Sequence, residues 1–126
     1  MTIQFYGGTC LRIESKGVVL VTDPFDKSTG LTPPRFEAAV VLASHPSFAT
    51  SSISGNPYVI SGPGEYDIKE ITVEGIALTH EDTAYIINFD ELTLMHFGAL
   101  ASTTEQDLER ALKEVNDNID ILLLPI

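Results

Sequence analysis

Tryptophan is absent from this chain, cysteine occurs once, and lysine and arginine together number seven in 126 residues. A lone Cys10 has no internal partner, so no disulfide framework holds the fold and a reducing compartment is its natural setting. Seven basic residues against eighteen acidic ones leave a formal charge of −11. That charge repels phosphate backbones and anionic lipid surfaces, which excludes simple electrostatic binding to nucleic acid or membrane. No apolar run approaches the roughly 20 residues of a membrane-spanning helix. Met1-Thr2-Ile3-Gln4 lacks the pattern of a secretory signal. The expectation is a cytoplasmic protein with neither nucleic acid nor membrane as partner. With 44% hydrophobic and 20% charged residues, the composition is that of a globular domain over residues 1–126. Such a domain can bury a core without metal or disulfide.

What is present reads mostly as short strands. Ile3 and Phe5 alternate with polar neighbours, as do Leu11 and Ile13. Ser15-Lys16-Gly17 supplies turn chemistry before Val18-Val19-Leu20-Val21, so a meander is predicted over the first 22 residues. Asp23-Pro24 ends it, because proline donates no ladder hydrogen bond. Ala38 to Ala43 is a continuous apolar run, the mark of a strand covered on both faces. Residues 44–57 are rich in Ser, Pro and Gly and read as loop. Further strands are expected at Tyr58-Val59-Ile60, Ile71-Thr72-Val73, Tyr85 to Phe89 and Leu92 to Met95, with Asp90-Glu91 as a hairpin turn of unremarkable composition.

One helix is predicted, over 102–117. Ser102 and Glu105 have capping-box spacing, and Leu108, Ala111, Leu112 and Val115 fall at i, i+3, i+4 and i+7. Acids early (Glu105, Asp107, Glu109) and bases late (Arg110, Lys113) suit the helix dipole. Ile119 to Ile126 then reads as another buried strand. A sheet with doubly buried strands needs cover on both faces, and one helix covers only part of one. Either the sheet folds over into a two-layer sandwich, or a second copy supplies the missing layer. An apolar strand such as Ile121-Leu122-Leu123-Leu124 is a hazard if left at an open sheet edge.

Six segments, in order, carry a family resemblance: Phe5-Tyr6-Gly7-Gly8, Val21-Thr22-Asp23-Pro24-Phe25, Ala43-Ser44-His45, Gly62-Pro63-Gly64-Glu65-Tyr66, His96-Phe97-Gly98 and Leu122-Leu123-Leu124-Pro125. Together they resemble the metallo-β-lactamase superfamily, and within it the UlaG-like branch of Zn-dependent hydrolases. The resemblance implies an α+β fold. This chain would be the β-rich half of an αββα sandwich, with about ten short strands and the single helix.

Members of that family place H-x-H-x-D-H after a strand, so that imidazoles and a carboxylate converge on one or two metals that activate water. Here the same stretch reads His45-Pro46-Ser47-Phe48-Ala49-Thr50: the first histidine is kept, and Ser47, Ala49 and Thr50 stand where the other ligands would be. A later Gly-Asp is replaced by Gly98-Ala99. His80 corresponds to a middle ligand, while His96 is read as a core-edge histidine. His45 and His80 are therefore vestigial metal candidates, short of the three protein ligands a catalytic zinc needs. Asp23 is read as a turn residue capping backbone N–H groups, Cys10 as buried rather than nucleophilic, and Glu65 and Asp67 as solvated.

The expected function is non-catalytic. It is self-association, or binding of a small ligand or protein, with no cofactor and a homodimer through Ile121, Leu122, Leu123 and Leu124. The rival expectation is a hydrolase dependent on zinc or manganese, with a rebuilt or interface-shared site.

Overall fold

The computed structural model describes residues 1–125. Strands β1 (Thr2–Gly7), β2 (Cys10–Ser15) and β3 (Val18–Thr22) form the predicted antiparallel meander. Its second turn is tight because Lys16 and Gly17 both adopt positive φ, which matches strand twist. β4 (Val40–Leu42) and β5 (Tyr58–Ile60) then add in parallel, giving the sheet order β1-β2-β3-β4-β5.

The chain crosses to a second sheet at Gly62-Pro63. This sheet holds β6 (Gly64–Ile68), β7 (Ile71–Ala77), β8 (Thr83–Phe89), β9 (Leu92–His96) and β10 (Ile121–Leu123), in the order β10-β9-β8-β7-β6. Asp90 and Glu91 have φ of 54° and 64°, so this plain pair does make the two-residue hairpin turn. β10 returns parallel to β9, and the helical connection between them supplies the crossover that parallel pairing requires.

Strand alternation builds the core between the sheets. Ile13, Leu20, Val40, Leu42 and Ile60 face Ile71, Val73, Tyr85, Ile87, Phe89 and Leu94. The opposite faces are covered separately. Ile76, Ala84, Ile86 and Met95 lie under helix α1 (Glu105–Leu112), whose Leu108 and Ala111 pack on them. Cys10, Val21 and Val41 lie under Phe25, Ala38 and Ile53 of the long loop. The sandwich is thus built within one chain, and the loop supplies the cover that one helix cannot.

Three expectations change. The helix spans Glu105–Leu112 rather than 102–117, and its capping box is Thr104 with Asp107. Ser102 instead lies against Asp82, to which its N–H and hydroxyl both donate. Beyond Leu112 the chain tightens into i to i+3 bonds from Glu114 and Val115, and Leu112 itself turns to solvent. Finally, β10 is an edge strand rather than a doubly buried one: Leu122 is 56% exposed and Leu124 61%. Ile126, the end of the strand expected there, lies outside the described residues.

Candidate functional site

The ends of β3, β4 and β9 meet at a buried carboxylate. Asp23 follows β3 with φ of 45°, a left-handed conformation that aspartate tolerates better than most residues, and it is 1% exposed. Its Oδ1 accepts the Ser44 N–H at 2.7 Å. Its Oδ2 accepts the Thr9 hydroxyl at 2.7 Å, the Ser44 hydroxyl at 2.8 Å and His96 Nε2 at 2.9 Å. Four donors converge on one carboxylate, which offsets the cost of burying it. The backbone N–H that Asp23 accepts belongs to Ser44, 21 residues on at the end of β4, rather than to its own turn. His96 is buried, and its Nδ1 has no partner among the described residues.

His45 sits just beyond, half-buried. Its Nδ1 accepts the Ser47 N–H at 3.1 Å and lies 2.8 Å from the Ser47 hydroxyl, while Nε2 lies 2.8 Å from Glu81 Oε2. A backbone N–H can only donate, so Nδ1 carries the lone pair and Nε2 carries the proton given to Glu81. His80 is exposed and lines a shallow cleft with Asp107 and Arg110.

Asp82, next along, is 2% exposed and ties the turn before β8 to the approach of α1. Its Oδ2 accepts the Ser102 N–H at 2.7 Å and the Thr103 hydroxyl at 2.7 Å. Burial pushes this carboxyl up, but the bonds from Thr103 and Ser102, aided by His45, outweigh burial and hold it below the usual carboxylate range.

Cys10 is fully buried, and burial together with the nearby Asp23 pushes its thiol up to about 12. It has the opposite of a nucleophile's environment. Between the β1–β2 edge and the β9–β10 edge, the sandwich opens into a pocket of about 350 Å3 with Thr9 and His96 in its lining.

The order and spacing of these strands, with His45 after β4 and Gly98 after β9, is the arrangement the resemblance predicts. Residues 2–126 match the profile of the β-lactamase superfamily domain. The chain belongs to that superfamily. Among solved structures, it is similar to a protein from Thermotoga maritima named provisionally as a Zn-dependent hydrolase of the metallo-β-lactamase superfamily. The two share 28% identity and a TM-score of 0.74 over 95% of this chain and 58% of that one. It is also similar in fold to a provisionally named metal-dependent hydrolase from Parabacteroides distasonis (16% identity, TM-score 0.58, 76% of this chain and 59% of that one). CmlA, a diiron β-hydroxylase from Streptomyces venezuelae, shares the fold at 12% identity and a TM-score of 0.63, over 95% of this chain and 33% of that one. No curated protein matches. The chain therefore spans less than two-thirds of the length of these relatives.

Superfamily membership implies a metal, and the donors present do not fit the ligand set expected for one. Both nitrogens of His45 are engaged by Ser47 and Glu81, Ala49 and Ala99 carry no donor, and Ser47 serves His45. Among the described residues no three His, Cys, Asp or Glu side chains gather to hold an ion. The Asp23–Ser44–Thr9–His96 cluster was only partly visible in the sequence: Asp23 was marked by Pro24, but its partners lie 14, 21 and 73 residues away. Glu81 and Asp82 gave no signal beyond standing next to His80.

Proposed function

We propose that this β-lactamase-superfamily chain is a metal-site-degenerate member of the UlaG-like branch. In this reading it works in the cytoplasm without catalysis, as an assembly protein that pairs with a second copy through its open edge. The observation that carries this is the apolar edge itself. Leu122 and Leu124 on the β10 side and Phe5, 69% exposed, on the β1 side leave both sheets open at one flank. A short strand with unpaired backbone groups and large exposed side chains favours pairing with another chain. Two-fold pairing would let each copy cover the other's edge.

The test is sedimentation equilibrium of the intact chain across the micromolar range. A dimer is expected, together with a monomer for the Leu122→Asp/Leu124→Asp variant whose circular dichroism is unchanged. A stable monomer of the unmodified chain overturns the reading.

The second reading is a zinc- or manganese-dependent hydrolase with a rebuilt site. It draws on His45 and His80 and on Asp82 Oδ1, a buried oxygen without a partner among the described residues. Stoichiometric metal in protein purified without chelator, with a thermal shift on adding zinc or manganese, favours it; neither effect is expected if the first reading holds.

A further inference from the structure

Ser47, His45 and Glu81 form a continuous chain of contacts beyond the end of β4. The Ser47 hydroxyl lies 2.8 Å from His45 Nδ1, and His45 Nε2 lies 2.8 Å from Glu81 Oε2. The Ser47 N–H donates to the same Nδ1 at 3.1 Å, which fixes that nitrogen as the one with the lone pair. The hydroxyl can therefore bond to it only by donating. Its hydrogen is aimed at a base, its oxygen lone pairs stay free, and a carboxylate holds the base from behind. This is the polarity of an activated serine, with nucleophile, base and orienting acid in hydrogen-bond reach of one another. Ser47 is exposed, so reagents reach it from solvent.

The rest of the turn limits what this serine can do. The N–H groups of Ser47, Phe48 and Ala49 are all taken, by His45 Nδ1, the His45 carbonyl and the Pro24 carbonyl. These three offer no free donor to an oxyanion, the contribution that usually carries most of an acyl-transfer rate. Only a carbonyl with a good leaving group would then react. The serine ester formed, whose own leaving group is a poor alkoxide, would persist. Ser47 also lines a cavity of about 170 Å3 with Pro24, Phe25, Asp26 and Phe48. That size suits a short acyl chain, and Asp26 disfavours one carrying a negative charge.

We propose that Ser47 is an acyl acceptor, taking a short neutral acyl group from an activated ester or thioester. The Ser47 Oγ bonds to the carbonyl carbon as the bond to the leaving oxygen or sulfur breaks. The serine proton passes to His45 Nδ1 and from there to the leaving group. Glu81 stabilises the imidazolium through Nε2–H and is a positioning residue. The acyl group is kept, so the inference goes beyond the association reading without adding turnover to it, and it uses none of the residues of the β1–β10 edge.

The experiment incubates the intact protein with p-nitrophenyl acetate at neutral pH and follows acetylation residue by residue with peptide mass spectrometry. Ser54, exposed and with its hydroxyl donating to the Phe36 carbonyl, is the internal control. Ser47 is expected to label at least about a hundredfold faster than Ser54, and His45→Gln to remove that advantage while Ser54 is unchanged. Glu81→Ala is expected to slow Ser47 at least about tenfold, and Glu81→Gln, which keeps an acceptor for Nε2–H, to restore part of the rate. Equal labelling of Ser47 and Ser54, or labelling of Ser47 that is indifferent to His45→Gln, overturns the proposal. Continued release of p-nitrophenol after Ser47 is fully labelled, lost in Ser47→Ala, overturns both the acceptor role and the non-catalytic reading. Sedimentation of the same samples keeps association separate: an unlabelled dimer sinks only this proposal, and a labelled monomer sinks only the association.

Discussion

Gly98 lies so close to Ser44 that a Cβ added at Gly98 would stand 2.1 Å from the Ser44 Cβ. Gly98 also has φ of 71°, so a side chain there is strained twice, by contact and by backbone. This approach lets the Ala99 N–H reach the Ser44 hydroxyl at 3.3 Å and joins the ends of β4 and β9 over Asp23. Gly98→Ala is expected to destabilise by more than about 3 kcal/mol in urea denaturation. Gly17→Ala, with φ of 80° and open space around it, isolates the backbone share and should cost about 1 kcal/mol. Similar losses for the two variants would mean that the contact with Ser44 relaxes freely.

The Asp82 carboxyl is held low by Thr103 and Ser102 against its own burial, so its anion is favoured in the folded protein. A depressed folded value contributes stability above the unfolded value of about 4, and that contribution is lost as pH falls through the lower folded value. Asp82→Asn is expected to cost about 1–3 kcal/mol at neutral pH. The gap in melting temperature between the two proteins should narrow below about pH 4. A gap that stays constant from pH 7 to pH 3 contradicts the assignment.

Tyr85 spans the sandwich. Its hydroxyl donates to the Ala43 carbonyl at 2.7 Å and accepts the Gly62 N–H at 2.9 Å. Burial, partly opposed by the Gly62 bond, pushes the phenol up to about 12. Tyr85→Phe leaves both backbone groups short of a partner and should cost about 1–3 kcal/mol. In an ultraviolet titration of the native protein, this one of the four tyrosines should ionise only near 12 or on unfolding. Full ionisation by pH 11 with the fold intact would refute it.

Cys10 gives a direct check on its buried surroundings under the long loop. With its thiol pushed up to about 12 and no exposed surface, it should be inert to a disulfide reagent at pH 8. It should react fully once denaturant is added. Rapid labelling of the native protein would reopen the case for a nucleophile.

Local signals made much of the fold legible. The meander, the apolar run at β4 and the stripe of Leu108 and Ala111 are each written in a few neighbouring residues. β6 escaped notice because Glu65 and Asp67 read as a solvated tail, although Tyr66 and Ile68 alternate with them and pack on the core. The sequence reading starts the helix at Ser102 with Glu105, but in the fold Ser102 donates to Asp82 and the box is Thr104 with Asp107. The candidate site was the least legible part. His45 and His80 are marked by family position, but the pairing of His96 with Asp23 joins residues 73 apart, and no periodicity encodes that.

The order of strands has a consequence for how the molecule assembles. One sheet is drawn entirely from residues 2–60 and the other from residues 64–123, with a single crossing at Gly62-Pro63. Hairpins within each segment can register early, since their loops are short. Neither segment can hide its inner face alone, because Leu20, Val40 and Leu42 find cover only on Val73, Ile87 and Leu94. The two halves are thus obligate co-folders: each is a template for the other, and a break in the chain at the crossing would leave two pieces whose only escape from aggregation is to find one another.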